Sequence, residues 1–202
     1  MNIDRILLDV EVQRDFFSPG GSCYTREASS YAARIYDLFA WARKHKIPVI
    51  STLLRVRGSE RGPLAPVPHC IDGTDGERKL SRPVLPQRIN MGLRNTTDLP
   101  EDLFEQYQQV ICEKRHTNIF SHARAERLIT TLPQCTFVLC GAGVAHGIVE
   151  AAVGLRNRGF AVIVAEDAIL DLDHPLAEMA RLRMEAKGSL FLPAKRIVTE
   201  PV

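Results

Sequence analysis

The chain has 202 residues, a formal net charge of +2, 45% hydrophobic residues and 25% charged residues. That is long enough for one domain with a sizeable core, and the composition is ordinary for a globular protein. No Lys/Arg block points to nucleic acid or a membrane surface, and no apolar run is long enough to span a bilayer. The N-terminal MNIDRILLDVEVQ carries Asp4, Asp9 and Glu11, which breaks the layout of a signal peptide. A cytoplasmic protein is therefore expected. The five cysteines are odd in number and scattered without a CxxC pair, which reads as reduced, mostly buried thiols.

In chain order, ILLDVEV (6–12) reads as a strand. Residues 25–45 read as a helix capped by Thr25, with Tyr31, Ile35, Leu38, Phe39 and Ala42 on one face. IPVISTLL (47–54) is a second strand. Residues 55–99, rich in Gly, Pro and Arg, form a long irregular excursion. QVICEK (109–114) is a third strand and 121–131 a short helix with Ser121 as its cap. CTFVLCG (135–141) is a fourth strand, 145–157 a helix, and FAVIVAED (160–167) a fifth strand. Residues 174–186 read as a helix, and AKRIVTE (194–200) as holding a short last strand.

Strands alternating with helices predict an α/β fold: a doubly wound, six-stranded, mostly parallel, Rossmann-like sheet with helices on both faces. One domain over 1–202 is expected. Ligands in such folds bind beyond the carboxyl ends of the strands, which directs attention to Glu11, Arg55, Lys114, the 141–147 turn and Asp167.

On an extended strand Asp9, Glu11 and Gln13 share a face. Two carboxylates so close repel if both ionise, so one is expected to hold its proton and serve as a general acid; the alternative is that hydrogen bonds satisfy both. Lys114, ending an apolar strand, is a candidate partner for a carboxylate or an anionic substrate; otherwise its ammonium is solvated at the sheet rim. Gly141, Gly143 and Gly147 allow close backbone approach, and the free amides of the next helix start suit an anion; tight strand–helix packing is the alternative. The glycine spacing is not that of a dinucleotide fingerprint.

Four segments together resemble the isochorismatase-like, or cysteine hydrolase, superfamily, which includes nicotinamidases. They are EVQRDFFSPGG (11–21), EKRHTNIF (113–120), VLCGAGVAHGIVEAA (138–152) and GFAVIVAEDA (159–168), in the family's order and spacing. The resemblance implies that the family's catalytic Asp falls on Glu11, its catalytic Lys on Lys114, and its nucleophilic Cys on Gly147. Without a thiolate the acyl-enzyme route is closed. The true isochorismatases are similar in having Gly there, and protonate a vinyl ether before water adds.

The resemblance further implies an oxyanion or substrate cradle from Gly143 and Gly147. It implies a cis peptide at Ala142–Gly143, a lid over the site from the excursion, and a homo-oligomer, dimer or tetramer. His146 is read either as a base or substrate contact or as an outward-facing helix start. Arg55 and Asp9 are candidate substrate-binding residues. His69 falls on a zinc ligand of nicotinamidases, but Leu54 and Val56 stand at the other ligand positions, and one His cannot hold zinc. No metal or other cofactor is expected, and His69 is read as packing or hydrogen bonding.

Two functions follow. The first is a cysteine-independent hydrolase of a small, anionic metabolite with Glu11 as acid and Lys114 as its partner. The second is an inactive family member that binds a small molecule or a protein.

Overall fold

The structure is a computed structural model that describes residues 3–199; the ends of the expected 1–202 domain lie outside the described residues. Seven strands form one sheet in the order β3-β4-β2-β1-β5-β6-β7. They are β1 (Arg5–Val10), β2 (Val49–Leu54), β3 (Arg88–Asn90), β4 (Gln109–Lys114), β5 (Thr136–Ala142), β6 (Ala161–Leu170) and β7 (Leu190–Leu192). Every neighbouring pair is parallel, so helices must cover both faces.

The helices are α1 (Arg14–Phe17), α2 (Ala28–Lys44), α3 (Leu103–Gln106), α4 (Ala123–Thr131), α5 (Val149–Asn157), α6 (His174–Ala186) and α7 (Ala194–Thr199). One apolar layer joins Leu8, Val10 and Leu139 to residues of α4, α5 and α6, including Leu128, Leu155 and Met184. The other joins Leu7, Val49 and Val138 to α1, α2 and α7 through Phe16, Leu38 and Ile197. Alternate strand residues thus feed opposite layers, as the period of two requires.

The strand order reverses at β1: the chain leaves it for β2 on one side and reaches β5 on the other. In an open parallel sheet the ligand crevice lies at such a switch point, beyond the carboxyl ends. Here those ends are Val10 and Ala142.

Four expectations need correction. Among the described residues the sheet has seven strands rather than six. AKRIVTE is not a strand: residues 194–199 are α7, packed on α2 with Ala194 and Ile197 buried, a spacing of three that suits a helix, while Glu200 lies outside the described residues. The last strand is the preceding LFL. Thr25 and Ser121 do not cap through their side chains: α2 has Glu27 at its N-cap position without a side-chain bond, and His122 caps α4 by accepting from the Ala125 amide.

Candidate active site

β1 stops at Val10, and Glu11 adopts a left-handed conformation (φ 49°), unusual for a residue with a side chain. This breaks the expected face-sharing of Asp9, Glu11 and Gln13. Glu11 donates its amide to the Thr52 carbonyl (3.2 Å), fixing the turn against β2. Gln13 is locked to the end of β2 in both directions: its amide donates to Leu54 O (2.8 Å) and its carbonyl accepts from Leu54 N (2.8 Å).

The carboxylate of Glu11 is fully buried. Its Oε1 accepts from Thr52 Oγ1 (3.1 Å) and from Lys114 Nζ. Lys114, the last residue of β4, also donates to His116 O (2.9 Å) and Thr117 O (2.7 Å). All three ammonium donors are therefore engaged. Glu11 Oε2 is buried with no hydrogen-bond partner. It lies against Gly147: a Cβ built there would overlap Oε2, with Val10 Cγ1 at 2.8 Å and Glu11 Cδ at 3.3 Å. The structure thus brings together Glu11, Lys114 and Gly147, three residues drawn from distant parts of the sequence.

Asp9 has a separate partner. It is bonded to Lys79 and Ser51, neither of which the sequence reading had singled out. Asp9 and Glu11 do not form a mutually repelling pair; each has its own lysine. Both carboxyls are nonetheless pushed above the usual carboxylate range, because burial outweighs the attraction of Lys79 and Lys114 respectively. For Glu11 the negative charge of Glu150, in the first turn of α5, adds to the rise.

The 141–148 turn is partly as expected. Gly143 has φ 77°, and Leu64 of the excursion sits over it, 2.6 Å from where a Cβ would stand. Glycine is needed there on both counts. No cis peptide occurs among the described residues, so the Ala142–Gly143 bond is trans; the positive φ of Gly143 makes the reversal instead. Its amide donates to Leu170 O (3.0 Å), so it is not a free cradle donor. Residues 144–148 form a turn leading into α5, kinked at His146, which is half-buried and has non-helical dihedrals (φ −128°, ψ −105°).

The remaining candidates lie in or beside the excursion. Arg55 is held by Asp72 (3.1 Å), Glu77 (2.9 Å) and Glu113 (3.5 Å), which commits its guanidinium to the protein itself. His69 accepts from Leu64 N through Nε2 (3.2 Å) and donates to Val67 O through Nδ1 (2.8 Å). Burial lowers its pKa and favours this neutral form. His69 therefore ties down the strap carrying Leu64 over the Gly143 turn. Among the described residues no group of three or more His, Cys, Asp or Glu is arranged to hold a metal, and no helix is long and apolar enough to cross a membrane.

A parallel sheet with a buried acid–lysine pair at its switch point defines the class as an α/β protein. The chain belongs to the isochorismatase family: the family model described as isochorismatase domain matches residues 5–194. No curated protein matches it in sequence. Solved structures share the fold. An isochorismatase-like hydrolase from Alkaliphilus metalliredigens has a TM-score of 0.71 and 15% identity, over 97% of this chain and 95% of that one. A pyrazinamidase of Pyrococcus horikoshii, solved with zinc, has 0.69 and 20%, over 94% and 99%. An N-carbamoylsarcosine amidase from Thermoplasma acidophilum has 0.69 and 16%, over 95% and 97%.

Proposed function

We propose that this chain is a hydrolase of the isochorismatase family that works without a cysteine nucleophile on a small, anionic metabolite. The observation that supports this reading is Glu11: one oxygen is held by Lys114 and Thr52 while the other lies unpartnered against Gly147. Its raised pKa favours the protonated acid, the form a general acid needs. Protonated at Oε2, Glu11 gives its proton to the carbon of an enol ether, forming a C–H bond and an oxocarbenium ion. Water adds to that ion, and the hemiketal collapses to a ketone and an alcohol. Lys114 stabilises the carboxylate left behind. Substrate reaches the acid when the strap carrying Leu64 and His69 lifts from the Gly143 turn. A homo-oligomer, dimer or tetramer, is part of the same reading.

One observation favours an inactive binder instead: Glu11 is wholly buried and Leu64 is seated on the turn beside it. A hydrolysis screen over vinyl ethers, amides and esters, with parent and Glu11→Ala protein side by side, separates the two. Turnover of a vinyl ether by the parent and its loss in Glu11→Ala supports the hydrolase. Equal activity, or none in either, supports the binder.

A further inference from the structure

Of the five large apolar side chains exposed among the described residues, four belong to one stretch of chain: Leu176, Met179 and Leu182 on α6, and Leu190 at the start of β7. β7 is the edge strand of the sheet. The inner side of α6 buries Ala177, Ala180 and Met184 in the layer it shares with α5. At about 100° per residue, the stripe facing the other way is Pro175, Met179, Leu182 and Ala186. Met179 is 68% exposed and Leu182 60%. Large apolar side chains gathered in one exposed patch mark an interaction surface.

The charges beside the stripe say what it fits. Glu178 and Glu185 flank it on one side and Arg183 on the other, all three exposed. None of them makes an ion pair among the described residues. Glu178 and Arg183 lie on opposite flanks and do not meet on one helix, where partners stand three or four residues apart. Written as a heptad, Met179 and Ala186 are a positions, Leu182 is d, Glu178 is g and Arg183 is the e that follows it. In a parallel, in-register pair of helices, each g residue faces the following e residue of the other strand, so Glu178 meets Arg183 across the seam. A two-fold axis makes that contact twice. An antiparallel pair would set one glutamate flank against the other. The stripe and its flanks are therefore self-complementary in one orientation, which is what a two-fold interface requires.

We propose that α6 docks on α6 of a second copy of this chain, the two helices parallel and in register, with Met179 and Leu182 at the seam and Glu178 of each copy paired with Arg183 of the other. The buried side of α6 turns away from the seam, so the two domains lie on opposite sides of the helix pair. This names the face through which a homo-oligomer forms, and it stands whether or not the chain turns over a substrate. α6 has 13 residues and covers less than the roughly 800 Å² per partner of a standard interface, so the dimer is reversible.

Sedimentation equilibrium of the full-length protein over a wide concentration range tests the association, and should show a reversible self-association. Met179→Glu with Leu182→Glu should weaken it about 100-fold or more. Glu178→Arg alone, or Arg183→Glu alone, sets like charges at both contacts and should weaken it about tenfold. The two together exchange the partners and should restore it to within a few-fold of the parent. A monomer at every concentration, association undisturbed by the paired glutamates, or no recovery in the charge exchange overturns the proposal. Orientation is read by oxidising Met179→Cys and Ala186→Cys separately, with the parent and its five free cysteines as control. Parallel register brings each new thiol to its own copy, so both variants should give a covalent dimer. An antiparallel pair links one of them at most, and that result, or neither link, also overturns the proposal. Every substituted position is exposed, so the variants keep the fold.

Discussion

Gly147→Cys restores the side chain that the family resemblance places at this position, and the structure resists it. The new Cβ overlaps Glu11 Oε2, stands 2.8 Å from Val10 Cγ1 and 3.3 Å from Glu11 Cδ. Both neighbours are wholly buried, so neither swings into solvent. Overpacking of this kind costs about 1–3 kcal/mol. Cysteine and glycine differ little in helix propensity, by a few tenths of a kcal/mol, so no gain offsets the clash. For a chain of 202 residues each kcal/mol moves Tm by about 2–4 °C, giving a fall of roughly 2–12 °C for Gly147→Cys. Glu11→Asp withdraws the carboxylate by one methylene and removes the worst overlap, though not that with Val10. A double-mutant cycle followed by circular dichroism during heating should then show a favourable coupling of about 0.5–3 kcal/mol between the two changes. Strictly additive effects, or a Gly147→Cys protein as stable as the parent, would refute the view that the long acid at 11 occupies the space of a side chain at 147.

Three further outcomes follow from the same contacts. Glu11 has a raised pKa in the fold, so its contribution to stability is full below its unfolded value of 4.5 and is lost as pH rises through the higher folded value. Glu11→Gln, fixed in the neutral form, should gain stability relative to the parent as pH rises from about 4 to 8; a difference independent of pH contradicts the shift. Arg55→Ala removes the cation shared by Glu77 and Glu113, while Asp72 keeps Arg115 (2.6 Å), and should destabilise by about 1–3 kcal/mol in urea titration, with Arg55→Lys failing to restore the forked contacts. His69→Ala releases the Leu64 amide, so limited proteolysis should cut faster between residues 58 and 68; an unchanged cleavage rate there would show that His69 does not hold the strap.

How much of this was legible in the sequence depended on the range of the interaction. QVICEK has the bounds of β4 and is buried along most of its length, so its apolar run declares the strand from its own residues. AKRIVTE misled because Ile, Val and Thr favour strands locally, whereas packing of Ala194 and Ile197 against α2 decides for a helix. β3 and β7 have three residues each and carry no periodic signal. In the site, Glu11, Lys114 and Gly147 could be named from motif positions. Lys79 could not, because it lies in an excursion without periodicity and reaches Asp9 only through the fold.

Contact between positions 11 and 147 also changes how the two departures from the family pattern are weighed. Taken separately, a longer acid and a missing thiol are two losses, and together they suggest a decayed site. In the structure they are complementary: the added methylene carries Oε2 to where a side chain at 147 would stand, and the absence of that side chain leaves the oxygen room. Lys114 keeps its contact with the acid throughout. Decay by itself gives no reason for a charge to remain buried at the switch point of the sheet, since replacing such a pair by apolar residues of similar volume is often neutral or stabilising. Acid and lysine in fitted positions therefore support the proposed hydrolase over the inactive binder.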